Sequence, residues 1–178
     1  MIKKGFLWVI TVIGLITVSI GAIFLWANHL ENPLSPDMRA DLVVVEKSRR
    51  RLTLYFKGEP LKTYKISLGR VPVGPKEREG DNKTPEGRYT IDFRNPKSLY
   101  YLALHISYPN QKDIQAAREK GVSPGGDIMI HGLPNRFGRL GKLHRLVDLS
   151  RGCIVVTNKE MDELWRAIPN GTPIDIEP

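Results

Sequence analysis

The sequence predicts a mainly β domain with short helices, preceded by one hydrophobic N-terminal helix. Three observations carry this prediction. An uncharged run lies near the N-terminus, short apolar segments alternate with polar residues through the rest of the chain, and turn residues separate those segments. With 178 residues, the chain has room for one compact domain besides the helix.

The hydrophobic run covers residues 6–27 and contains no charge. As a helix it would be about 33 Å long, which is enough for a bilayer core. Two lysines precede it, and Trp8 and Trp26 lie near its ends, where interfacial aromatic residues are expected. We therefore predict a cytoplasmic N-terminus at residues 1–5 and a transmembrane signal anchor at residues 6–27, in a bacterial cell membrane. The alternative is a cleaved signal peptide.

The rest of the chain is predicted to lie outside the cytoplasm. Residues 28–40 are polar and contain two prolines, which indicates a stiff linker. Residues 41–178 form the predicted domain. Its alternating or short apolar segments predict strands at residues 42–45, 52–57, 62–68, 88–93, 100–107, 127–131, 153–156 and 172–176.

The first hairpin shows the strand pattern most clearly. Leu52, Leu54 and Phe56 alternate with polar residues, so they are expected on one face. Lys57-Gly58-Glu59-Pro60 supplies the turn. The return strand repeats the alternation, with apolar residues at Tyr64, Ile66 and Leu68.

Two short helices are predicted within the domain. The first covers residues 113–120 and ends at Gly121. The second follows a capping box, in which Thr157 is the N-cap and Glu160 the third helical residue. Its apolar residues recur at the helical spacing and predict a buried stripe of Met161, Leu164, Trp165 and Ile168.

Charge and cysteine content exclude several classes of protein. The net charge of +8 suggests an acidic partner. Nucleic acid is not expected, because the domain is exported and basic runs are not interleaved with aromatic residues. Arg49-Arg50-Arg51, the longest basic run, is expected to be a solvated turn or a contact to lipid headgroups. A single cysteine excludes an intrachain disulfide framework.

Cys153 and His131 are the residues that suggest chemistry. Cys153 is the one thiol of an exported domain, and His131 ends an apolar strand. An imidazole that takes the proton of a thiol makes it a nucleophile for acyl transfer. The alternatives are a buried cysteine with a structural histidine, or a zinc site built from His131, His144 and Cys153. We expect no metal and no cofactor, because no closely spaced ligand pair is present.

The motifs around these residues resemble the active-site signature of the L,D-transpeptidase catalytic domain (YkuD-type). The matching segments are Ile130-His131-Gly132 and Ser150-Arg151-Gly152-Cys153-Ile154. Upstream, Ile66-Ser67-Leu68-Gly69 and Lys83-Thr84-Pro85-Glu86-Gly87 are also similar to the family's segments. In the commonest form of the motif a histidine stands in place of Arg151, and many members have Asn or Arg in place of Val155. The resemblance covers residues 41–178.

The resemblance implies a mixed β-sandwich or barrel-like fold and cysteine acyl transfer on peptidoglycan stem peptides. It implies that Cys153 is the nucleophile and His131 the general base. Gly132 would orient the base. The backbone N–H groups of Gly152 and Cys153 would stabilise the oxyanion, and Ser150 belongs to the same supporting motif. A related peptidase, or a wall-binding module with an inert cysteine, remains an alternative.

Residues 132–152, between the base and the nucleophile, are strongly basic. They contain five basic residues and one acidic residue. This loop is either solvated or a cradle for the carboxylates of stem peptides, which arginine binds well. The predicted substrate-binding residues are Arg136, Arg139, Arg151 and, within a segment similar to one branch of the family, Tyr108.

Overall fold

The strands of the domain form one mixed eight-stranded sheet. The structure is a computed structural model that describes residues 4–178, apart from the side chains of residues 4–7 and 10. The elements are α1 (Lys4–Ala27), β1 (Leu42–Glu46), β2 (Arg51–Phe56), β3 (Glu59–Lys65), β4 (Gly87–Ser98), β5 (Tyr101–Ile106), α2 (Gln111–Glu119), β6 (Met129–His131), a 3-10 segment (Gly138–Leu146), β7 (Ile154–Val155), α3 (Asn158–Ala167) and β8 (Pro173–Glu177).

The strand order in the sheet is β3-β2-β1-β8-β4-β5-β6-β7. The pairs β1–β8 and β6–β7 are parallel, and the other neighbours are antiparallel. The longest strand, β4, pairs with β8 near its start and with β5 from Ile91 onward, so it links the two halves of the sheet. The predicted mixed, mainly β fold with short helices is confirmed.

The two ends of this strand order meet at β7. Ser67, just beyond β3, forms an antiparallel bridge with Val155. The Val155 N–H donates to the Ser67 carbonyl at 2.9 Å, and the Ser67 N–H donates back at 3.0 Å. The short strand β7 is therefore held on both sides, by β6 and by the segment after β3.

The core lies between the curved sheet and α3. Leu52 and Leu54 are fully buried, as their alternation predicts, but Phe56 is exposed. The register with β3 shifts between Leu54 and Tyr55, which breaks the alternation at the end of the strand. Tyr64, Ile66 and Leu68 are all buried, although β3 itself ends at Lys65.

The helices begin at side-chain caps. Thr157 and Glu160 form the predicted capping box of α3. The predicted start of α2 at Asp113 is wrong by two residues, because the Asn110 side chain caps the helix and Asp113 is its third residue. Within the predicted basic loop, residues 138–146 form the 3-10 segment, which local apolar spacing did not indicate.

Residues 6–27 lie within the helix α1, but a membrane span is not supported. In the part of the chain that the structure describes, no helix has the combination of length and apolar character that crossing a membrane requires. The cytoplasmic N-terminus predicted for residues 1–5 lies outside the described residues, except for the backbone of residues 4 and 5 at the start of α1.

The predicted linker, residues 28–40, contacts the domain at several points. The Leu34 N–H donates to Glu163 Oε1 at 2.5 Å. Lys62 Nζ donates to Glu163 Oε2 at 2.6 Å and to the Glu31 carbonyl oxygen at 3.1 Å. Because the Glu163 side chain is only 1% exposed, its charge depends on these donors.

Replacement of Lys62 by methionine tests this buried ion pair. We expect Lys62→Met to lower the free energy of unfolding by about 3 kcal/mol, because the Glu163 carboxylate would lose its cationic partner. Lys65→Met, an exposed position on the same strand, is the control and should change it by less than about 0.5 kcal/mol. Urea unfolding measures both, and equal losses would contradict the assignment.

Candidate active site

The parallel pairing of β6 and β7 directs the predicted base and nucleophile to one face. Ile130 is in register with Ile154, and His131 with Val155. Ile130 and Ile154 are fully buried in the core, so alternation along the strands directs His131 to the opposite face. Cys153 shares that face, because it lies immediately before β7 and two residues before Val155.

The His131 imidazole is held in its neutral form. Its Nδ1 atom lies 2.7 Å from the Gly132 carbonyl oxygen, which can only accept a hydrogen bond. Nδ1 therefore carries the proton, and Nε2 keeps the lone pair that a base needs. Burial lowers the pKa of His131. The Tyr100 ring, with its centroid 4.5 Å from that of the imidazole, restricts its orientation.

The Cys153 thiol is held in its protonated form. Burial raises the pKa of the Cys153 thiol. Its Sγ atom also lies 3.6 Å from the Asp127 carbonyl oxygen, an acceptor that serves the thiol and not the thiolate. The Met129 backbone N–H and the Lys76 ammonium act in the opposite direction on the pKa. A neutral thiol and a neutral imidazole on the same face are the starting state from which a proton transfer would generate the nucleophile.

Ser150 shapes the turn that carries Cys153. Its hydroxyl donates to the Cys153 carbonyl oxygen at 2.7 Å and accepts from the Gly152 N–H at 3.1 Å. Of the two N–H groups predicted to stabilise an oxyanion, that of Gly152 is therefore already engaged. The Cys153 N–H has no hydrogen-bond partner among residues 4–178.

Gly152 and Gly132 stand where a side chain would collide with the backbone or a neighbour. Gly152 has a φ of 128°, and a Cβ there would lie 2.5 Å from the Lys83 carbonyl oxygen. A Cβ on Gly132 would lie 2.7 Å from Asn158 Oδ1. Both glycines therefore allow close packing next to the two candidate catalytic residues.

The loop between β3 and β4 packs beside the turn at Ser150, where Gly69 forms a parallel bridge with Ser150. A Cβ on Gly69 would lie 2.1 Å from the Asn82 carbonyl oxygen. The Asp81 carboxylate organises this loop, because it accepts from three of the loop's backbone N–H groups. It also pairs with the buried Lys76 ammonium at 2.8 Å. The loop is thus held by internal polar contacts.

The basic residues between His131 and Cys153 fall into two groups. Lys142 pairs with Glu31, and Arg145 pairs with Glu160 at 2.6 Å. These two cations have structural partners, so the whole loop is not an open cradle. The side chains that are exposed and make no ion pair with a described residue are Arg136, Arg139 and Arg151.

Tyr108 lies in the core. It is 3% exposed, and its hydroxyl donates to the Pro124 carbonyl oxygen at 3.0 Å. Its ring contacts Tyr89 edge-on, with the centroids 5.9 Å apart. The structure therefore places the predicted substrate-binding tyrosine in packing contacts, with its polar group engaged.

The zinc interpretation of His131, His144 and Cys153 has no support in the geometry. Among the described residues, no three His, Cys, Asp or Glu side chains are arranged to hold a metal ion. Both ring nitrogens of His144 face backbone carbonyl oxygens, those of Gly141 and Val155.

Sequence reasoning missed Asp148 as a support of the Cys153 turn. Its Oδ1 atom accepts from the Leu68 N–H at 2.7 Å, and its Oδ2 atom lies 2.8 Å from Arg50 Nη2. Arg50, the middle residue of the basic run Arg49-Arg50-Arg51, therefore forms an ion pair within the domain. Asp148 is the one acidic residue in a basic loop, which could have drawn attention to it. Its partners could not be predicted, because Leu68 and Arg50 lie 80 and 98 residues away in sequence.

The fold is a mixed β-sheet in which the register of β6 and β7 places Cys153 and His131 on one face. The L,D-transpeptidase catalytic domain family (YkuD) matches residues 40–176. YafK of Escherichia coli strain K12, named as an L,D-transpeptidase, is 36% identical over 156 residues, which cover 81% of this chain and 56% of YafK. The chain belongs to the L,D-transpeptidase catalytic domain family, and spans about half the length of the YafK relatives it matches.

Solved structures agree on the fold. The helical cell shape determining protein Pgp2 from Campylobacter jejuni has a TM-score of 0.57 and 29% identity, covering 76% of this chain and 46% of Pgp2. Bd1075 of Bdellovibrio bacteriovorus has a TM-score of 0.53 and 31% identity, with the same coverage. L,D-transpeptidase 3 from Mycobacterium tuberculosis has a TM-score of 0.53 and 15% identity, and the match covers 77% of this chain and 60% of that protein. At this identity, the similarity supports the fold alone.

The pH dependence of Cys153 alkylation tests the protonation states of the pair. Because burial raises the pKa of the thiol, we expect the rate with iodoacetamide to reach half its maximum at a higher pH than for a cysteine in an unstructured peptide. Mass spectrometry of the modified protein measures the rate. A midpoint below that of the peptide would contradict a thiol pKa raised by burial.

Proposed function

We propose that this chain catalyses acyl transfer on peptidoglycan stem peptides, outside the cytoplasm, through an acyl-enzyme on Cys153. The observation that carries the proposal is the register of β6 and β7, which directs His131 and Cys153 to the same face. Membership of the L,D-transpeptidase family supplies the substrate class. The chain's net positive charge suits an anionic wall polymer.

In the first half-reaction, His131 Nε2 takes the Cys153 thiol proton, and the thiolate attacks the carbonyl carbon of the donor peptide bond. The tetrahedral oxyanion is stabilised by the free Cys153 N–H. Collapse of the intermediate breaks the carbon–nitrogen bond. The departing terminal residue leaves with the proton from His131, and the donor acyl group remains as a thioester.

In the second half-reaction, an amine of a second stem peptide attacks the thioester carbonyl. His131 takes a proton from that amine, a new peptide bond forms, and the Cys153 thiolate leaves and is reprotonated. Water in place of the amine gives a shortened stem and no cross-link. The same catalytic pair serves both outcomes, so the acceptor decides between transferase and peptidase.

Arg136, Arg139 and Arg151 are the proposed contacts to stem-peptide carboxylates. They are exposed, and none is engaged in an ion pair with a described residue. Arg151 lies two residues before Cys153, so it is the nearest of the three in sequence to the nucleophile. A bidentate guanidinium–carboxylate contact would orient the donor peptide for attack.

Two alternatives remain distinct proposals. A peptidase of the same fold would hydrolyse the thioester, and Arg151, which stands where the commonest form of the motif has histidine, is the residue we expect to favour hydrolysis. A wall-binding module would bind stems without using the thiol. The placement of His131 on the same face as Cys153, with its Nδ1 atom bound to the Gly132 carbonyl oxygen, favours an enzyme over the binding module, because a binding site has no need of a base.

Mass spectrometry of the protein with a stem peptide tests the acyl-enzyme. We expect a covalent adduct on Cys153 that adds the mass of the donor minus that of the free terminal amino acid released on acylation. Cys153→Ala should form no adduct and have no activity, because it lacks the nucleophile. Cys153→Ala that kept full activity on peptidoglycan would show that the proposed mechanism is wrong.

Analysis of muropeptides separates transfer from hydrolysis. If the chain is a transpeptidase, the products with purified peptidoglycan should include new 3-3 cross-links, and these should increase when an amine acceptor is added. Shortened stems alone would identify the peptidase. Arg151→His, which restores the commonest motif residue, is the matched variant, and we expect it to raise the ratio of cross-links to shortened stems.

A further inference from the structure

The end of α1 packs against the 3-10 segment between the candidate catalytic residues. Ala27 is 1% exposed, and its carbonyl oxygen would lie 2.1 Å from a Cβ on Gly141. The Asn28 side-chain amide donates to the Arg139 carbonyl oxygen at 3.0 Å. Gly141 has a φ of 50° and is the kink at which the 3-10 segment changes direction. The contact therefore requires glycine at this position.

Charged and aromatic contacts strengthen this junction. The Lys142 ammonium pairs with the Glu31 carboxylate and lies 5.6 Å from the centroid of the Trp26 ring. The Lys142 side chain is only 7% exposed, so its charge is partnered where water is largely excluded. We call residues 26–31 the clamp. They contact the 3-10 segment through the Ala27 backbone, the Asn28 amide, the Glu31 carboxylate and the Trp26 ring.

His144 connects the 3-10 segment to the catalytic strand. Its Nδ1 atom lies 2.7 Å from the Gly141 carbonyl oxygen, and its Nε2 atom lies 3.2 Å from the Val155 carbonyl oxygen. Val155 lies two residues after Cys153 and is in register with His131. The next residue, Val156, donates its N–H to the His131 carbonyl oxygen at 3.1 Å.

These contacts form a continuous path from the clamp to the site. It runs from Ala27 to Gly141 by packing, and from Gly141 to Val155 through the His144 ring, whose one N–H in the neutral form donates to one of the two carbonyl oxygens while the other nitrogen is in contact with the second. From Val155 the path continues to Cys153 along the chain. Strand β7 has only two residues, so it brings little stability of its own. Its position depends on what holds it from outside.

We propose that His144 is a positioning residue of the candidate active site, and that the clamp acts through it to hold β7 and Cys153 in place on the face that carries His131. The inference rests on the proposed function only for the identity of the reaction. The position of Cys153 relative to His131 is a property of the fold and is measurable without substrate.

Replacement of His144 tests the link. We expect His144→Leu to lower kcat on a stem peptide by about ten- to a hundredfold with KM unchanged, because a misplaced nucleophile affects chemistry more than binding. His144→Gln, which keeps one donor for Val155, should retain more activity than His144→Leu. The matched control is Thr172→Val, because Thr172 is also buried and also bonds a backbone carbonyl oxygen, that of Pro169 at 2.8 Å, but it lies outside β6 and β7.

The alkylation midpoint of Cys153 separates positioning from a general effect on stability. Burial raises the pKa of the thiol, so a displaced β7 that admits water should move the midpoint to lower pH. A residue that only stabilises the fold would lower the melting temperature and leave both midpoint and kcat unchanged at temperatures well below melting. That second result for His144→Leu would overturn the proposal.

A glycine pair tests the clamp. Gly141→Ala and Gly58→Ala both place alanine at positive φ, 50° and 83°, so both introduce backbone strain. Only Gly141→Ala also collides with the Ala27 carbonyl oxygen, since nothing lies within 4 Å of a Cβ on Gly58. We expect the alkylation midpoint to shift in Gly141→Ala and not in Gly58→Ala. Equal midpoints would contradict a role for the clamp.

Glu31→Gln is a second variant that tests the role of the clamp if Gly141→Ala fails to fold. It removes the anionic partner of Lys142 with no change of volume, and Glu77→Gln, at the exposed pair with Lys120, is its control. A midpoint shift in Glu31→Gln alone supports the clamp, and equal midpoints argue against it. A shifted midpoint in a chain that forms no adduct with stem peptides would leave the positioning role intact and refute the proposed reaction.

Discussion

The parallel pairing of β6 with β7 is the contact on which the site depends. It sets His131 and Cys153 on one face, while their neighbours Ile130 and Ile154 are buried in the core. A slip of one residue would turn both chemical groups to the wrong face, because side chains alternate with a period of two. Since β7 has two residues, the pairing survives only because neighbouring segments hold the strand on its other sides.

Those neighbouring segments act largely through polar contacts to backbone. Ser67 pairs with Val155 on the side opposite β6, Ser150 closes the turn before Cys153, and Asp148 ties that turn to the Leu68 N–H. Hydrogen bonds of this kind have strict geometry, so they fix the position of the turn more sharply than apolar packing does. They also satisfy backbone groups in loops that lack a regular ladder.

The electrostatics of the site follow from burial. The imidazole and the thiol are both driven toward their neutral forms, so the resting pair carries no net charge and avoids the cost of a buried ion pair. Charge appears only when the proton moves. The basic residues between His131 and Cys153 form two groups. Lys142 and Arg145 make ion pairs within the structure, whereas three arginines are exposed to solvent.

The sequence by itself determined the mainly β class, the capping box of α3, the buried alternation of β2 and the Cys153 and His131 motifs, because each depends on local spacing and residue type. It did not determine the 3-10 segment, the burial of Tyr108, or the contacts of Asp148 and His144. Apart from the local contact of His144 with Gly141, the partners in the contacts of Tyr108, Asp148 and His144 are 11 to 98 residues apart in sequence. Only the tertiary structure decides them, because a contact across the fold depends on the register of strands and not on local pattern.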